Sequence, residues 1–368
     1  MTGHAPSLLG RPRGKDLSIK PDDFGSEAAI RRAAAVFARP HPWRSAGQVL
    51  TTFGPFLAGC AAMYAVFPIS YLLTLALALP TGALLVRVFI IQHDCGHGSF
   101  FASRRANRLI GRLCSLCTLT PYASWARQHG LHHADWNNLD RTAGGSDIYS
   151  ACLTVRGYLA LSRRRRLLYR LPRHPLIANL VLPPLVFVLL YRLPFDTPQA
   201  WSAERRSVYW TNAALLALFG TLAGLLGWRT VLLVHLPVMV VASILGVWLF
   251  SLQHRFATAR WTVKGKWSFV DAALDGSSWL RLPRVLHWLT GNIGFHHIHH
   301  LNPRVPNYRL SDAHEAVHAL RPVPPLGLRG GLAAACLTLW DERRGRLVRF
   351  RDACRQDGRG GPAREEQS

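Results

Sequence analysis

Histidines are concentrated in three short clusters of this sequence. The clusters read HDCGHGSF at 93–100, QHGLHHADWN at 128–137 and GFHHIHHLNP at 294–303. Ten of the 17 histidines lie in these clusters or at the end of a later apolar stretch, namely His93, His97, His129, His132, His133, His254, His296, His297, His299 and His300. Neutral imidazole is a ligand for Fe, Zn, Cu and Ni. The clusters therefore indicate a metal site, and ligand type alone leaves the metal open.

The spacing within each cluster suits a helix. Residues three or four apart share one face of a helix. His93 and His97 are four apart, and the later clusters repeat this spacing at 129, 132 and 133 and at 296, 299 and 300. We therefore expect each cluster to aim its imidazoles at one point. His297, next to His296, is expected to point away from that face.

The number of histidines favours two metal ions. Eight or more nitrogen ligands exceed the four that a zinc ion takes and suit two metals of higher coordination number. Soluble di-iron bundles use Glu and Glu-x-x-His ligands, and no such pattern accompanies these clusters. The alternative is that each cluster is only a polar patch at a membrane surface. A metal transporter, another alternative, would need polar ligands inside its spans, where the sequence offers His235, which is expected to pack or hydrogen bond instead.

Long apolar stretches must position these clusters. The chain is 49% hydrophobic, and no Asp, Glu, Lys or Arg occurs from Ala46 to Val86. A membrane-spanning helix needs about 20 residues, so this stretch holds two spans, divided at Phe67-Pro68. Two further uncharged stretches flank Arg229. The sequence predicts four transmembrane helices, at 46–67, 69–91, 207–228 and 230–252; a buried hairpin of a soluble protein is the alternative.

A fifth apolar segment, 175–191, bears on the topology. It is short and contains Pro183-Pro184. If all the clusters build one site, the chain must cross the membrane an even number of times between His133 and His254. We therefore expect 175–191 to lie in the interface without crossing. Because no signal peptide opens the chain, both termini and the clusters are expected on the cytoplasmic side.

The charge of the chain is strongly positive, at +24. In a soluble protein this would suggest nucleic acid. Here the basic runs, such as RRRR at 163–166 and Arg343–Arg351, flank apolar segments and suit a cytoplasmic surface facing lipid headgroups. No nucleic-acid partner is expected. The seven cysteines are odd in number and form no disulfide framework, so they are expected to be reduced.

Beyond the histidine spacing, longer stretches carry a family resemblance. They are HDCGHGSF at 93–100, HGLHH at 129–133 with NLDR at 138–141, LFSLQHRF at 249–256, AALDGSSWLRLP at 272–283 and TGNIGFHHIHHLNPRVPNYRL at 290–310. With these motifs the chain resembles the membrane fatty acid desaturases, especially the bacterial and plastid-like omega-6 (delta-12-like) acyl desaturases. The resemblance covers roughly residues 40 to 350.

The resemblance implies an all-α integral membrane protein with four transmembrane helices and a cytoplasmic helical cap that holds a histidine-rich di-iron centre. Carried over residue by residue, the iron ligands are His93, His97, His129, His132, His133, His254, His296, His299 and His300. His254 matches an additional ligand that the family places before the third histidine box. The asparagine that contacts iron through water in some members has no clear match.

The implied activity is an O2-dependent desaturation that introduces a cis double bond into a long acyl chain, carried by a lipid or by coenzyme A. An unactivated C–H bond is too strong for a side-chain base, so the oxidant must come from O2 at a metal. The chain shows no G-x-G-x-x-G fingerprint and no cluster-binding cysteines, so an external electron donor, a ferredoxin or similar carrier, is implied. A bacterial inner membrane is the expected location. A di-iron hydroxylase or ketolase is the alternative, and the H-x-x-H-H second box favours desaturation.

The expected organisation has three parts. Residues 1–45 form a basic cytoplasmic arm, 46–322 the membrane domain, and 323–368 a C-terminal surface helix and basic tail. An apolar tunnel between cap and spans is expected to hold the acyl chain. The side chains expected to orient the imidazoles are Asp94, Asp135, Asp140, Asp147 and Asn292.

Overall fold

A computed structural model of the chain describes residues 25–140 and 151–357. The α-helices up to residue 254 are α1 (Glu27–Ala35), α2 (Pro42–Val66), α3 (Tyr71–His97), α4 (Arg104–Thr118), α5 (Tyr122–Asp135), α6 (Val155–Leu159), α7 (Arg163–Arg170), α8 (Leu182–Pro184), α9 (Ser202–Leu226) and α10 (Trp228–His254). The cap adds α11 (Phe269–Gly276), α12 (Arg284–Leu289), α13 (His296–Leu301), α14 (Leu310–His318), α15 (Leu328–Ala334) and α16 (Phe350–Asp357). The short strands are β1 (Leu153–Thr154), β2 (Trp279–Leu280), β3 (Pro325–Leu326), β4 (Leu339–Asp341) and β5 (Arg346–Val348).

Four helices, α2, α3, α9 and α10, are long and apolar enough to cross a membrane. They correspond to the four predicted spans and extend past them, since α3 continues to His97 and α10 to His254. The first two histidines and His254 therefore lie on the last turns of spanning helices. The prediction of four apolar helices of membrane-spanning length is confirmed.

The ends of α3 have local causes. The Ser70 side chain caps the start by accepting from the backbone N–H of Leu73 at 3.4 Å. Gly98 ends the helix with a left-handed φ of 67°, a conformation that side chains with a Cβ rarely adopt. The polypeptide thus leaves the helix directly after His97. This fixes the first cluster at the helix terminus.

The fifth apolar segment is bent. Residues Arg163–Arg173 and Ile177–Arg192 form a helix pair with a 49° bend, built from π-helical turns on either side of α8. The break between the two helices contains Pro175, which removes a backbone donor, and Pro183 and Pro184 lie within the second helix. This geometry fits either a broken span or a re-entrant segment. It therefore remains a prediction that residues 175–191 do not cross the membrane.

The described part of the N-terminal arm, predicted only as a basic segment, contains a helix with one buried face. Helix α1 starts at the Ser26 cap and buries Ala29, Ile30, Ala33 and Ala34 in the hydrophobic core of the cap. Its apolar residues recur at helical spacing, which buries one face while Arg31 and Arg32 stay exposed. The arm was predicted from its many arginines, and that composition does not reveal the helical spacing of its apolar residues. Residues 1–24 lie outside the described part of the chain.

The C-terminal region also differs from the predicted surface helix. Only α15 and α16 are helical, and between them β4 pairs in parallel with β1 and antiparallel with β5. Leu339, Trp340, Leu347 and Val348 are buried by this sheet. Strand β1 lies far away in the sequence, so the pairing was not visible in the local pattern. Residues 358–368 of the predicted basic tail are outside the described ranges.

Candidate metal centre

Four helices bring the histidine clusters together where the long helices meet the cap. His93 and His97 lie on α3, His129, His132 and His133 on α5, and His254 ends α10. His296, His299 and His300 lie on the short helix α13, whose six residues are all buried. The predicted histidines therefore converge from four separate regions of the sequence. They form two neighbouring groups.

The first histidine group contains five imidazoles whose potential ligand atoms all lie within 4.8 Å of one another, those of His93, His97, His129, His133 and His299. At its centre, Nε2 of His133 is 3.2 Å from Nε2 of His129 and 3.0 Å from Nε2 of His299. The indole of Trp125 stacks on His129 with ring centroids 4.7 Å apart. An aromatic wall thus limits the movement of this imidazole.

The second histidine group contains His132, His254 and His300 by the same distance criterion. Nε2 of His254 is 3.1 Å from Nε2 of His132. His296 borders the group, with its Nε2 3.1 Å from Nε2 of both His254 and His300. The ring of Trp136 packs against His254 with centroids 4.0 Å apart. All nine predicted ligands therefore lie at this centre.

The second and third clusters each contribute to both groups, which corrects the expectation that each cluster aims at one point. His133 belongs to the first group and the adjacent His132 to the second, and His299 and His300 divide in the same way. Consecutive residues are about 100° apart around a helix, so adjacent imidazoles diverge. The pairs His132-His133 and His299-His300 thereby link the two groups.

The geometry fits metal binding. Zinc–imidazole bonds are about 2.0–2.1 Å long, so two nitrogens on one ion at bond angles of about 90–110° lie roughly 2.8–3.4 Å apart. The Nε2–Nε2 distances of 3.0–3.2 Å fall in that range. Nε2 of His93 and of His97 are buried and have no hydrogen-bond partner among the described residues. Such unpaired atoms are costly in a protein interior unless they bind something.

Burial keeps these imidazoles neutral. It lowers the pKa of His133, His296, His299 and His300 well below the ordinary value, and the neighbouring imidazoles lower it further. A neutral imidazole presents a lone pair, whereas a protonated one cannot bind a metal. The described residues of the two groups include no carboxylate ligand. The centre is therefore nitrogen-dominated, as predicted.

Asp94 connects the first group to the surrounding structure. Its Oδ1 lies 3.0 Å from Nδ1 of His93, which directs Nε2 of that imidazole into the centre. Its Oδ2 accepts from the backbone N–H and the side-chain amide of Asn307, at 2.7 and 2.9 Å. The amide of Gln48 donates in turn to Oδ1 of Asn307 at 3.0 Å. The expectation that Asp94 orients an imidazole is confirmed.

The other predicted orienting residues have different outcomes. The side-chain amide of Asn292 donates to the backbone carbonyl of Asn307 at 3.3 Å. Asn292 therefore supports the loop that holds Asp94. Asp135 lies on α5 and lines the cavity described below, and Asp140 follows α5. Asp147 lies outside the described residues. Asn307 was not among the residues predicted to orient an imidazole, although it lies within the stretch 290–310 that carried the resemblance.

His297 is turned away from both groups, as predicted. Its Nε2 lies 2.9 Å from Nδ1 of His314 on α14. His235 is hydrogen-bonded, also as predicted, with its Nε2 3.0 Å from the Tyr64 hydroxyl oxygen. Each of these imidazoles has a structural partner. Neither belongs to the metal centre.

A cavity of about 890 Å³ leads from the histidines into the spanning helices. His93, His129, His132 and His296 line one end. The remaining wall is mostly apolar and comes from α3, α10 and the bent segment, including Phe89, Phe187, Phe250, Val186 and Val247. Its volume is within the range of about 300–1,000 Å³ of small-molecule sites. The cavity corresponds to the apolar tunnel expected from the sequence.

The fold and the site define a class of protein: a helical protein with four apolar helices of membrane-spanning length, a buried polyhistidine centre and an apolar cavity that ends at it. Residues 68–327 match the model of the fatty acid desaturase family. The chain is 43% identical over 322 residues to a fatty acid desaturase of Bacillus subtilis, covering 88% of this chain and 90% of the relative. The chain therefore belongs to the fatty acid desaturase family, whose members are oxidoreductases acting on acyl chains.

Two cyanobacterial relatives have more specific names. An sn-1 oleoyl-lipid 12-desaturase of Picosynechococcus is 29% identical over 288 residues, which cover 75% of this chain and 77% of the relative. An sn-1 acyl-lipid omega-3 desaturase (ferredoxin) of Synechocystis is 28% identical over 251 residues, covering 64% and 65%. The relatives therefore include enzymes whose names describe action on lipid-linked acyl chains.

Proposed function

We propose that this chain is an O2-dependent acyl-lipid desaturase that introduces a cis double bond into a long acyl chain at a di-iron centre. The observation that carries the proposal is the apolar cavity with four of the nine histidines at one end. A cavity with mostly apolar walls would deliver a hydrocarbon chain to the metal centre and would favour it over a polar substrate. The names of the lipid-linked relatives support a glycerolipid as the carrier.

The nine histidines would hold the metals. The first group would bind one iron, and the second, together with His296, would bind the other. When bound, two irons supply the O2-dependent oxidation of adjacent methylene groups. Asp94 holds the His93 imidazole with Nε2 towards the metal, a role that outer carboxylates commonly play.

The apolar residues of the cavity would position the chain. Phe89 and Phe187 pack edge to face with centroids 6.1 Å apart, and Phe89 also packs on Trp125 beside His129. These rings form a rigid wall that holds successive methylene groups beside the metal centre. The same wall excludes water from the reacting carbons. The position of the acyl chain along the cavity then determines which of its carbons lose hydrogen.

The overall reaction needs an external reductant. Removing two hydrogens from the acyl chain and reducing O2 to two waters consumes two further electrons and two protons. We propose that a ferredoxin or a similar small carrier supplies the electrons, as the name of the Synechocystis relative indicates for that protein. The chain carries a net charge of +24, so an acidic carrier would approach it faster.

The proposed location is a bacterial inner membrane, with the cap and metal centre on the cytoplasmic side. The basic helix α7 and the basic C-terminal segment support this orientation, since cytoplasmic segments are enriched in Lys and Arg. A cytoplasmic centre is also accessible to a soluble carrier. A hydroxylase or ketolase with the same centre is not favoured, because the named relatives are desaturases.

Product analysis tests the proposal. Cells expressing the chain and an electron donor are fed deuterium-labelled oleoyl and stearoyl lipids, and their acyl chains are analysed for new double bonds and hydroxyl groups. The chain is expected to produce a new cis double bond with loss of two hydrogens from adjacent carbons, and the His299→Ala variant is expected to produce none. A hydroxylated product without a new double bond would refute desaturation and leave the metal centre standing.

A further inference from the structure

A second cavity lies beyond the first along the same helices. It has a volume of about 280 Å³ and is lined by α2, α9 and α10, including Phe56, Phe219, Ala223, Val231 and Leu232. Its lining extends to Trp228, the first residue of α10, whereas the metal centre is at the other end of that helix. The second cavity is therefore farther from the histidines than the first.

Two side chains line both cavities, Leu85 on α3 and Met239 on α10. They are 2% and 6% exposed, so they form a buried partition between neighbouring spaces. At a rise of about 1.5 Å per residue, Leu85 lies roughly 12 Å along α3 from His93, and Met239 roughly 22 Å along α10 from His254. The partition thus closes the end of the first cavity opposite the metal centre.

The second cavity suits hydrocarbon. Its one imidazole, His235, is already paired with the Tyr64 hydroxyl, and the ring of Phe219 packs against it with centroids 5.2 Å apart. The remaining lining residues are apolar, aside from the thiol of Cys117. A polar ligand would find few partners there, whereas a methyl-terminated chain would need none. The side chain of Met239 is flexible, so it can change its conformation between the two cavities.

We propose that the second cavity is a binding site for the methyl end of longer acyl chains, and that Leu85 and Met239 limit the chain length this protein accepts. The proposal rests on the proposed function, since it assumes that an acyl chain fills the first cavity. With the partition in place, the methyl end stops against these two side chains. With the partition removed, the two cavities join and longer chains reach the same position at the histidines.

The test compares Leu85→Ala, Met239→Ala and the double variant with the unchanged chain. Each is expressed with an electron donor and supplied with lipids carrying acyl chains of increasing length. Leu84→Ala is the matched control, because Leu84 precedes Leu85 on α3 and lines neither cavity. Metal content reports on folding, and the milder Leu85→Val and Met239→Val replace any alanine variant that loses metal.

The ratio of desaturated long chains to desaturated short chains is the measured quantity. One methylene in an apolar pocket changes discrimination by about 10–200-fold, so the double variant is expected to raise this ratio at least about tenfold. Adding Ala223→Phe, which refills the second cavity, should reverse the gain. If the metal-loaded double variant shows the same ratio as the wild-type chain, the proposal is overturned. If the wild-type chain produces no desaturated product at all, the proposed function is refuted instead.

Photolabelling gives a readout that does not depend on turnover. A long acyl lipid with a photoreactive group at its methyl end is crosslinked to the purified double variant, and labelled peptides are identified. Labels are expected on α9 near Phe219 and on α10 near Leu232, and they should decrease when Ala223→Phe is added. Labelling confined to the walls of the first cavity in every variant would contradict the assignment.

Discussion

Asp94 and Asn307 are joined by two hydrogen bonds, although they are 213 positions apart in the sequence. The backbone N–H and the side-chain amide of Asn307 both donate to Oδ2 of Asp94, at 2.7 and 2.9 Å. The other carboxylate oxygen contacts Nδ1 of His93. The loop after α13 therefore holds the carboxylate that orients a proposed metal ligand on α3. This contact connects the third histidine cluster with the first.

Asn307→Ala is expected to weaken metal binding without abolishing it. The variant loses the side-chain donor but keeps the backbone donor, so Asp94 becomes less firmly held. Loss of such outer partners typically lowers metal affinity about 10–100-fold. Chelator competition measures the change, with Asn302→Ala as a control because Asn302 accepts from the Arg304 N–H in the same loop. Equal affinities of the two variants would show that the Asp94 contact does not support the centre.

His314→Ala is expected to lower stability while leaving the metal stoichiometry unchanged. The variant removes the partner of His297 Nε2 inside the cap. An unsatisfied buried polar group costs about 1–3 kcal/mol. Denaturant unfolding measures the loss, and metal analysis provides the second readout. Loss of one metal per chain would instead mean that the His297–His314 pair belongs to the centre.

His314 also predicts a pH dependence. Burial and, to a smaller extent, the nearby His318 lower its pKa from the ordinary value to about 4. Because a histidine in the unfolded chain titrates near about 6.5, the unfolded state binds the proton first as pH falls. The contribution of neutral His314 to stability is complete above about pH 6.5 and is lost towards about pH 4. His314→Gln should therefore show a shallower fall in the unfolding midpoint over this window; parallel curves would contradict the prediction.

The topology predicts which residues share a side of the membrane. With four crossings, position 200 before α9 and position 105 on α4 lie on the same side, and the α2–α3 turn at position 69 lies on the other. Ala200→Cys, Arg105→Cys and Ile69→Cys, introduced singly without the native cysteines, are labelled with an impermeant reagent from either side. Ala200→Cys labelling together with Ile69→Cys would show that the bent segment crosses the membrane and that the parity argument fails.

Sequence patterns specified the parts of this protein that depend on local spacing. Uncharged runs predicted α2, α3, α9 and α10, and histidine spacing selected eight of the imidazoles that converge, to which the family resemblance added His254. Local sequence patterns could not predict contacts between segments that are far apart in the sequence. The pairing of β1 with β4 and the capture of Asp94 by Asn307 depend on how the cap closes. The division of His132 from His133 could have been predicted from the helical rotation of about 100° per residue.

The most direct test of a two-metal histidine centre is the metal content of the purified chain after iron-replete expression. We predict about two irons per chain, and about one or none in His299→Ala and in His254→Ala, which alter the first and the second histidine group respectively. His297→Ala, whose imidazole faces His314, should retain both irons. Stoichiometric zinc without iron, or full iron content in both ligand variants, would contradict the proposed centre.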